Sequence, residues 1–465
     1  MTIQVGADQE FPQINSGPLE AQAQIPVVAV YNNLETFYHF LSRADDPSLF
    51  EKRKYRGDRG LYWMRNSKLL FVTADIPDVS FLSELWGYGD TQVVAPRKST
   101  HQLSLDILRE PGLVRQIIEY AGPKRTINLI PYATTAEIYQ LAETLRTEYG
   151  LTVFLPESPA SEHLWLRDYL DSKVGFRTLI SRWVDAQELL TEAVVCRDLP
   201  QAAEAVHWFA SRGKDCVVKA DRGESGIGHL VFSADMITSD VVKQKLLQDP
   251  FLKEDLIVVE EYISSAVQLS PSLELFVPPL GRGEPEITYL SKQLFERFGR
   301  FAGVLISREL LRSDWYATLA VNGLKIARQL QALGYVGHFD LDVVVGDDGK
   351  IYLLEINTRR TGGTYVHEFA RFTFGSDYLE RVTLLCNNSI RCGDIHDIQT
   401  LVAVLGDLLY PGGTSDTGIV ITVVSTLSAG EFGCIFIAPT ESEVLSLKQT
   451  LLDRIDSHCN QKIGS

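Results

Sequence analysis

The chain has no excess of basic residues: 44 Lys and Arg stand against 60 Asp and Glu, a formal net charge of −16. Without that excess few counterions can be released from a nucleic-acid backbone, so nucleic acid is excluded as a main partner. Any phosphate site must be local, built from a few Lys, Arg and backbone N–H groups. Cysteine is scarce. Cys196, Cys216, Cys386, Cys392, Cys434 and Cys459 show no CxxC spacing, and neither HxxxH nor HExxH occurs. Zinc is therefore not expected, and the cysteines read as small buried hydrophobes of a reducing compartment. No apolar run approaches the ~20 residues of a membrane span. The opening "MTIQVGADQE" is acidic and polar, unlike a signal peptide. A cytoplasmic protein without a membrane partner is expected. Internal repeats and low-complexity tracts are missing too.

What is present suits a large globular protein. Hydrophobic residues make up 45% and aromatics 10% of 465 residues, enough for several cores and roughly two to four domains. Residues 1–25, rich in Gln, Gly and Pro, read as a flexible arm. From 26 to 160 short apolar strands alternate with helical patterns: "IPVVAVY", "LLFVTAD", "TQVVAP", "INLIPY" and "LTVFLP". This alternation predicts a Rossmann-like α/β domain, a parallel sheet with helices on both faces. It has no GxGxxG, so no dinucleotide is assigned to it. Thr134 and Glu137 read as a capping box for the helix after Tyr132. The pattern changes at 161. A helix is expected over Leu166–Trp183, another opened by Asp198 and Pro200, β-rich sequence over 215–300, and a long helix over Asp314–Leu333. Residues 376–465 read as a small α+β lobe, with strands "GIVITVVSTL" and "FGCIFIAP" and a final helix capped by Thr440 and Glu443.

The densest polarity sits in "GHFDLDVVVGDDGKIYLLEINTRR", Gly337 to Arg360. Asp348-Gly349 signals a two-residue hairpin turn. Counting back from it, Val345 faces Tyr352, Asp342 faces Glu355 and Asp340 faces Asn357. Strand alternation then puts all four polar residues on one face. Two carboxylates ~5 Å apart repel by about 3 kcal/mol at an effective dielectric of about 20. Solvent, a raised pKa or a hard cation can relieve that repulsion. Oxygen ligands from Asp, Glu and Asn suit Mg²⁺.

Lys219 ends the apolar strand "CVVKA" and is followed by a small-residue loop, Glu224, Ser225, Gly226, Ile227 and Gly228. Such a loop can cradle phosphate through backbone N–H groups, or it can be a plain hairpin turn. GxxxxGK[ST] is absent. "LIVVEEYIS" is a buried-looking strand that ends in Glu260, Glu261, Tyr262 and Ile263. A strand end of this kind reads adenine through its backbone, or is ordinary core.

In order and spacing these pieces resemble the ATP-grasp superfamily over residues 161–375. The matching residues are Lys173 in "DSKVGF", Lys219 in "VVKA", the Ser225-Gly226 loop, "EEYI", Asp342, and Glu355 with Asn357 in "EIN". The resemblance implies an ATP-grasp fold after a pre-ATP-grasp domain, with ATP and Mg²⁺ (or Mn²⁺) as cofactors. Lys173 and Lys219 would contact phosphates and the 224–228 loop would fold over them. Glu260 and the backbone of Glu261, Tyr262 and Ile263 would hold adenine. Asp342, Glu355 and Asn357 would bind the metal. Arg359, in the family's frequent Asn-Pro-Arg position but after Thr358, would steady the transferred phosphoryl. No acidic ribose ligand follows the hinge, where Val267 and Gln268 stand. Asp340 is extra, either steering an amine or structural, and Arg297, Arg300 and Arg360 are candidates for a substrate carboxylate. With the extended "SPSLELFVPP" segment and the C-terminal region, the whole is similar to pheganomycin-type peptide ligases. The implied activity is amide or peptide bond formation between a small-molecule carboxylate and an amine, an amino acid or peptide, through an acyl phosphate. The alternatives are bicarbonate activation, a thiol acceptor, or nucleotide sensing without turnover. A homodimer is compatible with this reading.

Overall fold

The computed structural model describes residues 25–42, 54–64, 66–223, 228–236, 238–253, 255–295, 301–412 and 415–463. The expected arm at 1–25 lies outside them apart from its last residue. Three sheets organise the rest. The first is parallel: β1 (Val27–Val30), β2 (Leu69–Phe71), β3 (Gln92–Val94), β4 (Thr126–Pro131) and β5 (Thr152–Phe154), in the order β3-β2-β1-β4-β5. Its central strands are mostly apolar because both faces are covered. On one face Val28, Val30, Ile127 and Leu129 pack with Leu103, Ile117 and Leu141 from helices Leu103–Arg109, Pro111–Ala121 and Ala136–Thr147. On the other, Ala29, Leu70 and Val72 join a core shared with Tyr62, Trp63 and the C-terminal half. The cap of Ala136–Thr147 is one residue later than expected. Thr135 accepts from the Ile138 N–H, while the Thr134 hydroxyl is spent on Ser158.

The second sheet is antiparallel: β6 (Ala193–Cys196), β7 (Cys216–Ala220), β8 (His229–Phe232) and β9 (Ile257–Glu261), ordered β6-β9-β7-β8. Helix Leu199–Ser211 packs on it, opened as expected by Asp198 accepting from the Gln201 N–H at 2.8 Å. The expected helix over 166–183 is instead two, Leu164–Leu170 and Lys173–Ile180, broken at Asp171-Ser172. Ser172 caps the second helix, accepting from Gly175 N–H at 3.0 Å.

The third sheet holds β10 (Pro271–Val277), β11 (Glu286–Phe295), β12 (Phe301–Ile306), β13 (Gly337–Val345), β14 (Ile351–Asn357), β15 (Thr383–Arg391), β16 (Gly418–Val423) and β17 (Glu431–Ala438). Its order is β14-β13-β10-β11-β12-β15-β17-β16, so the strands of the C-terminal region continue the sheet that carries the acidic hairpin. Helix Tyr316–Ala332 lays Leu319, Ile326 and Leu330 on Leu273, Leu275 and Leu341, leaving Ser272, Glu274, Asp340 and Asp342 on the opposite face of β10 and β13. The final helix Glu441–Ile463 has the expected capping box: Thr440 N–H donates to Glu443, and Thr440 Oγ1 accepts from Glu443 N–H. Among the described residues no helix is long and apolar enough to cross a membrane.

The hairpin register differs from the count at the turn and agrees with it at the acids. The loop has three residues, Asp347 to Gly349, closed by Gly346 N–H to Lys350 O at 2.9 Å, with Gly349 at φ 75°. Val345 therefore faces Ile351, and Val344 faces Tyr352. A bulge at Leu354 restores the lost residue, so Asp342 faces Glu355 and Asp340 faces Asn357.

Candidate active site

The site lies where the four-stranded sheet meets the polar face of the eight-stranded one. Two lysines approach from the smaller sheet's side. Lys173, 4% exposed, begins its helix. Asp221, just after β7, holds that helix start: its carbonyl accepts from Lys173 N–H at 2.9 Å and its carboxylate from Val174 N–H at 2.8 Å. Lys173 Nζ stands 3.3 Å from Glu355 Oε2. Lys219, 6% exposed on β7, pairs with Glu260. Glu260 Oε2 also accepts from Arg177 Nη1 at 3.0 Å and Thr191 Oγ1 at 3.1 Å. Neither Arg177 nor Thr191 stands out in the sequence; Arg177's place one helical turn beyond Lys173 is the only signal.

Asp342 accepts from Gln293 Nε2 and from Asn357 Nδ2, the latter at 3.0 Å. Burial, then the nearby charges of Asp340 and Glu355, push its carboxyl well above the usual range. Burial also pushes Asp340 up to about 7, although Arg359 opposes this. Its Oδ2 accepts from Ser272 at 2.9 Å, while the buried Oδ1 has no hydrogen-bond partner. Burial would raise Glu355 as well, but Lys173 and Lys219 outweigh it and hold the carboxyl below its ordinary value. One acid of the facing pair is thus ionised against lysines while the other is charge-starved. Their oxygens, with the Asn357 amide, are the donor set a hard cation takes. No group of three His, Cys, Asp or Glu that could hold a metal assembles among the described residues.

Arg359 donates to Asn357 Oδ1 at 2.6 Å, lies 3.5 Å from Asp171 Oδ1 and sits over the Phe37 ring. Arg360 departs from expectation. It is 1% exposed, bound by both oxygens of Glu157 at 2.8 Å and by Glu368 at 2.8 Å, so no donor fork remains for a substrate. Its neighbour Glu274, fully buried, takes hydroxyls of Tyr289, Thr361 and Thr364 and faces His338 Nδ1 at 3.1 Å.

The hinge is tied to the hairpin tip. Asp347 accepts from Ser264 Oγ at 2.6 Å and Ala266 N–H at 2.7 Å. Glu261 and Tyr262 N–H bond to Glu192 and Asp215 carbonyls, and the Ile263 N–H has no acceptor among the described residues. Gly228 is buried at φ 76° and its carbonyl accepts from Ala220 N–H. Glu224, Ser225, Gly226, Ile227, Arg297 and Arg300 lie outside the described residues.

No protein-family model matches the sequence, and no curated protein matches it. Solved structures do match in shape. The biotin carboxylase of Campylobacter jejuni in a β,γ-ATP complex aligns with TM-score 0.58 at 13% identity, over 95% of both chains. The biotin carboxylase domain dimer of Hydrogenobacter thermophilus 2-oxoglutarate carboxylase, with MgADP, ADP and bicarbonate, gives 0.55 at 13% identity, over 92% of this chain and 90% of that one. An N5-carboxyaminoimidazole ribonucleotide synthetase in its ADP complex gives 0.52 at 12% identity, over 94% and 98%. Likeness at such identities is likeness of fold. The chain has the ATP-grasp fold, with a parallel α/β domain on its N-terminal side.

Proposed function

We propose that the chain is an ATP-dependent carboxylate–amine ligase that forms an amide or peptide bond through an acyl phosphate and releases ADP and phosphate. One observation carries the reading: buried Lys173 and Lys219, from different elements, converge on Glu355 and Glu260 beside the Asp342–Glu355 pair. The two ammonium groups are buried and held only by carboxylates they can exchange, so a triphosphate entering with its cation finds two lysines to take its charge.

In this reading adenine lies against the hinge and takes the unpaired Ile263 N–H. Lys173 and Lys219 turn from their carboxylates to phosphate oxygens. Asp342, Glu355 and Asn357 would hold Mg²⁺ or Mn²⁺, which when bound would neutralise phosphate charge. A substrate carboxylate oxygen attacks the γ-phosphorus as the bond to the ADP oxygen breaks. Arg359 offsets the charge that develops. The amine then attacks the acyl carbon, phosphate leaves, and the amine loses its proton. An amino acid or short peptide is the proposed substrate class, as in the pheganomycin-type ligases. A second reading, bicarbonate as the activated acid, is favoured by the bicarbonate in the 2-oxoglutarate carboxylase structure.

The test is ADP release with pairs of amino acids or peptides, and separately with bicarbonate, followed by mass spectrometry. Lys219→Ala and Glu355→Ala should each lower turnover by on the order of 10²-fold or more with unchanged circular dichroism. Wild-type turnover in either variant sinks the site, and AMP with pyrophosphate sinks the acyl-phosphate route.

A further inference from the structure

Arg167 is 7% exposed on helix Leu164–Leu170, yet its guanidinium does little for the fold. Nη1 donates to Asp168 at 2.6 Å; Nη2 is 4.0 Å from Asp171 Oδ2, and both Nε and Nη2 lack a hydrogen bond. Arg359 Nε, 9% exposed as a residue, is orphaned as well. Asp171 stands between the two guanidiniums, one carboxylate for two cations. Buried donors left without a partner are costly, so three in one place call for a ligand. They border a cavity whose free space, about 10 Å³, holds roughly one water. Its wall is completed by Tyr132, Pro159 and Tyr335, apolar surfaces brought in from both domains.

We propose that Arg167, with Arg359 Nε, anchors a carboxylate of an organic substrate, one carboxylate oxygen filling that water-sized space. The guanidinium fork matches a carboxylate in two directions, and a space of one water admits a carboxylate oxygen while the body of the substrate stays outside it. This rests on the ligase reading, since it names a substrate group for the same cleft. Arg167 acts by binding, and its partner Asp171 by offsetting the repulsion between the two cations.

The test uses thermal shift on the full chain with short peptides, the same peptides as C-terminal amides, bicarbonate, and MgADP as an independent arm. Wild type should be stabilised by free-carboxylate peptides and not by the amides. Arg167→Met should weaken that response roughly tenfold or more in apparent affinity, Arg167→Lys should weaken it less, and the MgADP shift should persist in both. Apo Arg167→Met should melt no lower than wild type, because few bonds are lost. A lower apo melting point in both variants marks Arg167 as structural and overturns the proposal. So does an undiminished peptide response in Arg167→Met, an equal response to the amides, no response to any peptide, or an Arg167-dependent response to bicarbonate alone. A peptide response without any MgADP response supports the anion site and removes the nucleotide reading instead.

Discussion

Arg360 and Arg359 are adjacent and chemically identical, yet they serve opposite ends of the molecule's needs. Arg360 turns to Glu157 at the end of the N-terminal domain and to Glu368 on helix Thr364–Phe374, with its backbone N–H on Tyr132 O at 3.1 Å. Arg359 turns to Asn357 and Asp171. Removing the first therefore strands two buried carboxylates. Arg360→Met should cost about 3–5 kcal/mol of stability, the range for breaking a buried pair, measured by urea denaturation. Glu157→Gln added to it should recover part of the loss, since one stranded charge is gone. In "NTRR" nothing tells the two arginines apart, because their partners lie some two hundred residues upstream for Glu157 and Asp171 alike. Lys173 opens a helix, and Lys219 and Glu355 stand near the ends of apolar strands, so pattern picks them out; Asp342 is found by counting across the hairpin. Arg167, Asp171, Arg177 and Gln293 are not picked out, being ordinary helix or strand residues until the fold brings partners to them.

Helices and strands deliver these groups through a few close approaches. Gly175 is the clearest: a Cβ there would fall 1.8 Å from Tyr169 O, a backbone atom of the preceding helix. The sharp break at Asp171-Ser172 thus depends on a missing methylene, and it aims Lys173 at Glu355. Gly175→Ala should raise the KM for ATP and lower stability by more than about 1 kcal/mol, because backbone must move; an unchanged KM would separate the helix break from nucleotide binding. The same stretch shows how far pattern carries. "LRDYLDSKVGF" has helical periodicity on both sides of the break, so the periodicity predicts one helix, and only Ser172 hints at a cap. The hairpin is the converse case. Asp348-Gly349 predicts a two-residue turn, the structure uses three residues, and the bulge at Leu354 cancels the shift before the acids. Alternation read the pairing of Asp342 with Glu355, whereas the turn type and the bulge depend on backbone angles that side-chain pattern does not encode.

At the scale of the whole molecule, Asp58 joins the first sheet's neighbourhood to the last. It lies in the turn Gly57–Tyr62 and accepts from the Val424 and Ser425 N–H groups at 3.2 and 3.1 Å and from the Ser425 hydroxyl. Burial pushes its carboxyl up to about 6, against the pull of those hydrogen bonds. Folding therefore takes up a proton between about 3.9, the unfolded value, and about 6. The associated stability is full below that window and declines as pH rises through it, by about 3 kcal/mol. Asp58→Asn removes the titration, so wild type should lose ground against the variant between about pH 4 and pH 6 and hold a constant difference above. Denaturant melts across that range check it, and a pH-independent difference would refute it. The strand order has a consequence for synthesis as well. A nascent chain that has emerged through Asn357 already carries every lysine and acid of the site. It still lacks β15, the neighbour of β12, and both backbone partners of Asp58. One face of the N-terminal sheet waits for the same late segment, whose Ile421, Phe436 and Leu451 share its core. Lysines and acids translated early are locked in place by strands translated after them, so the site's surroundings close only once that later segment has emerged and folded.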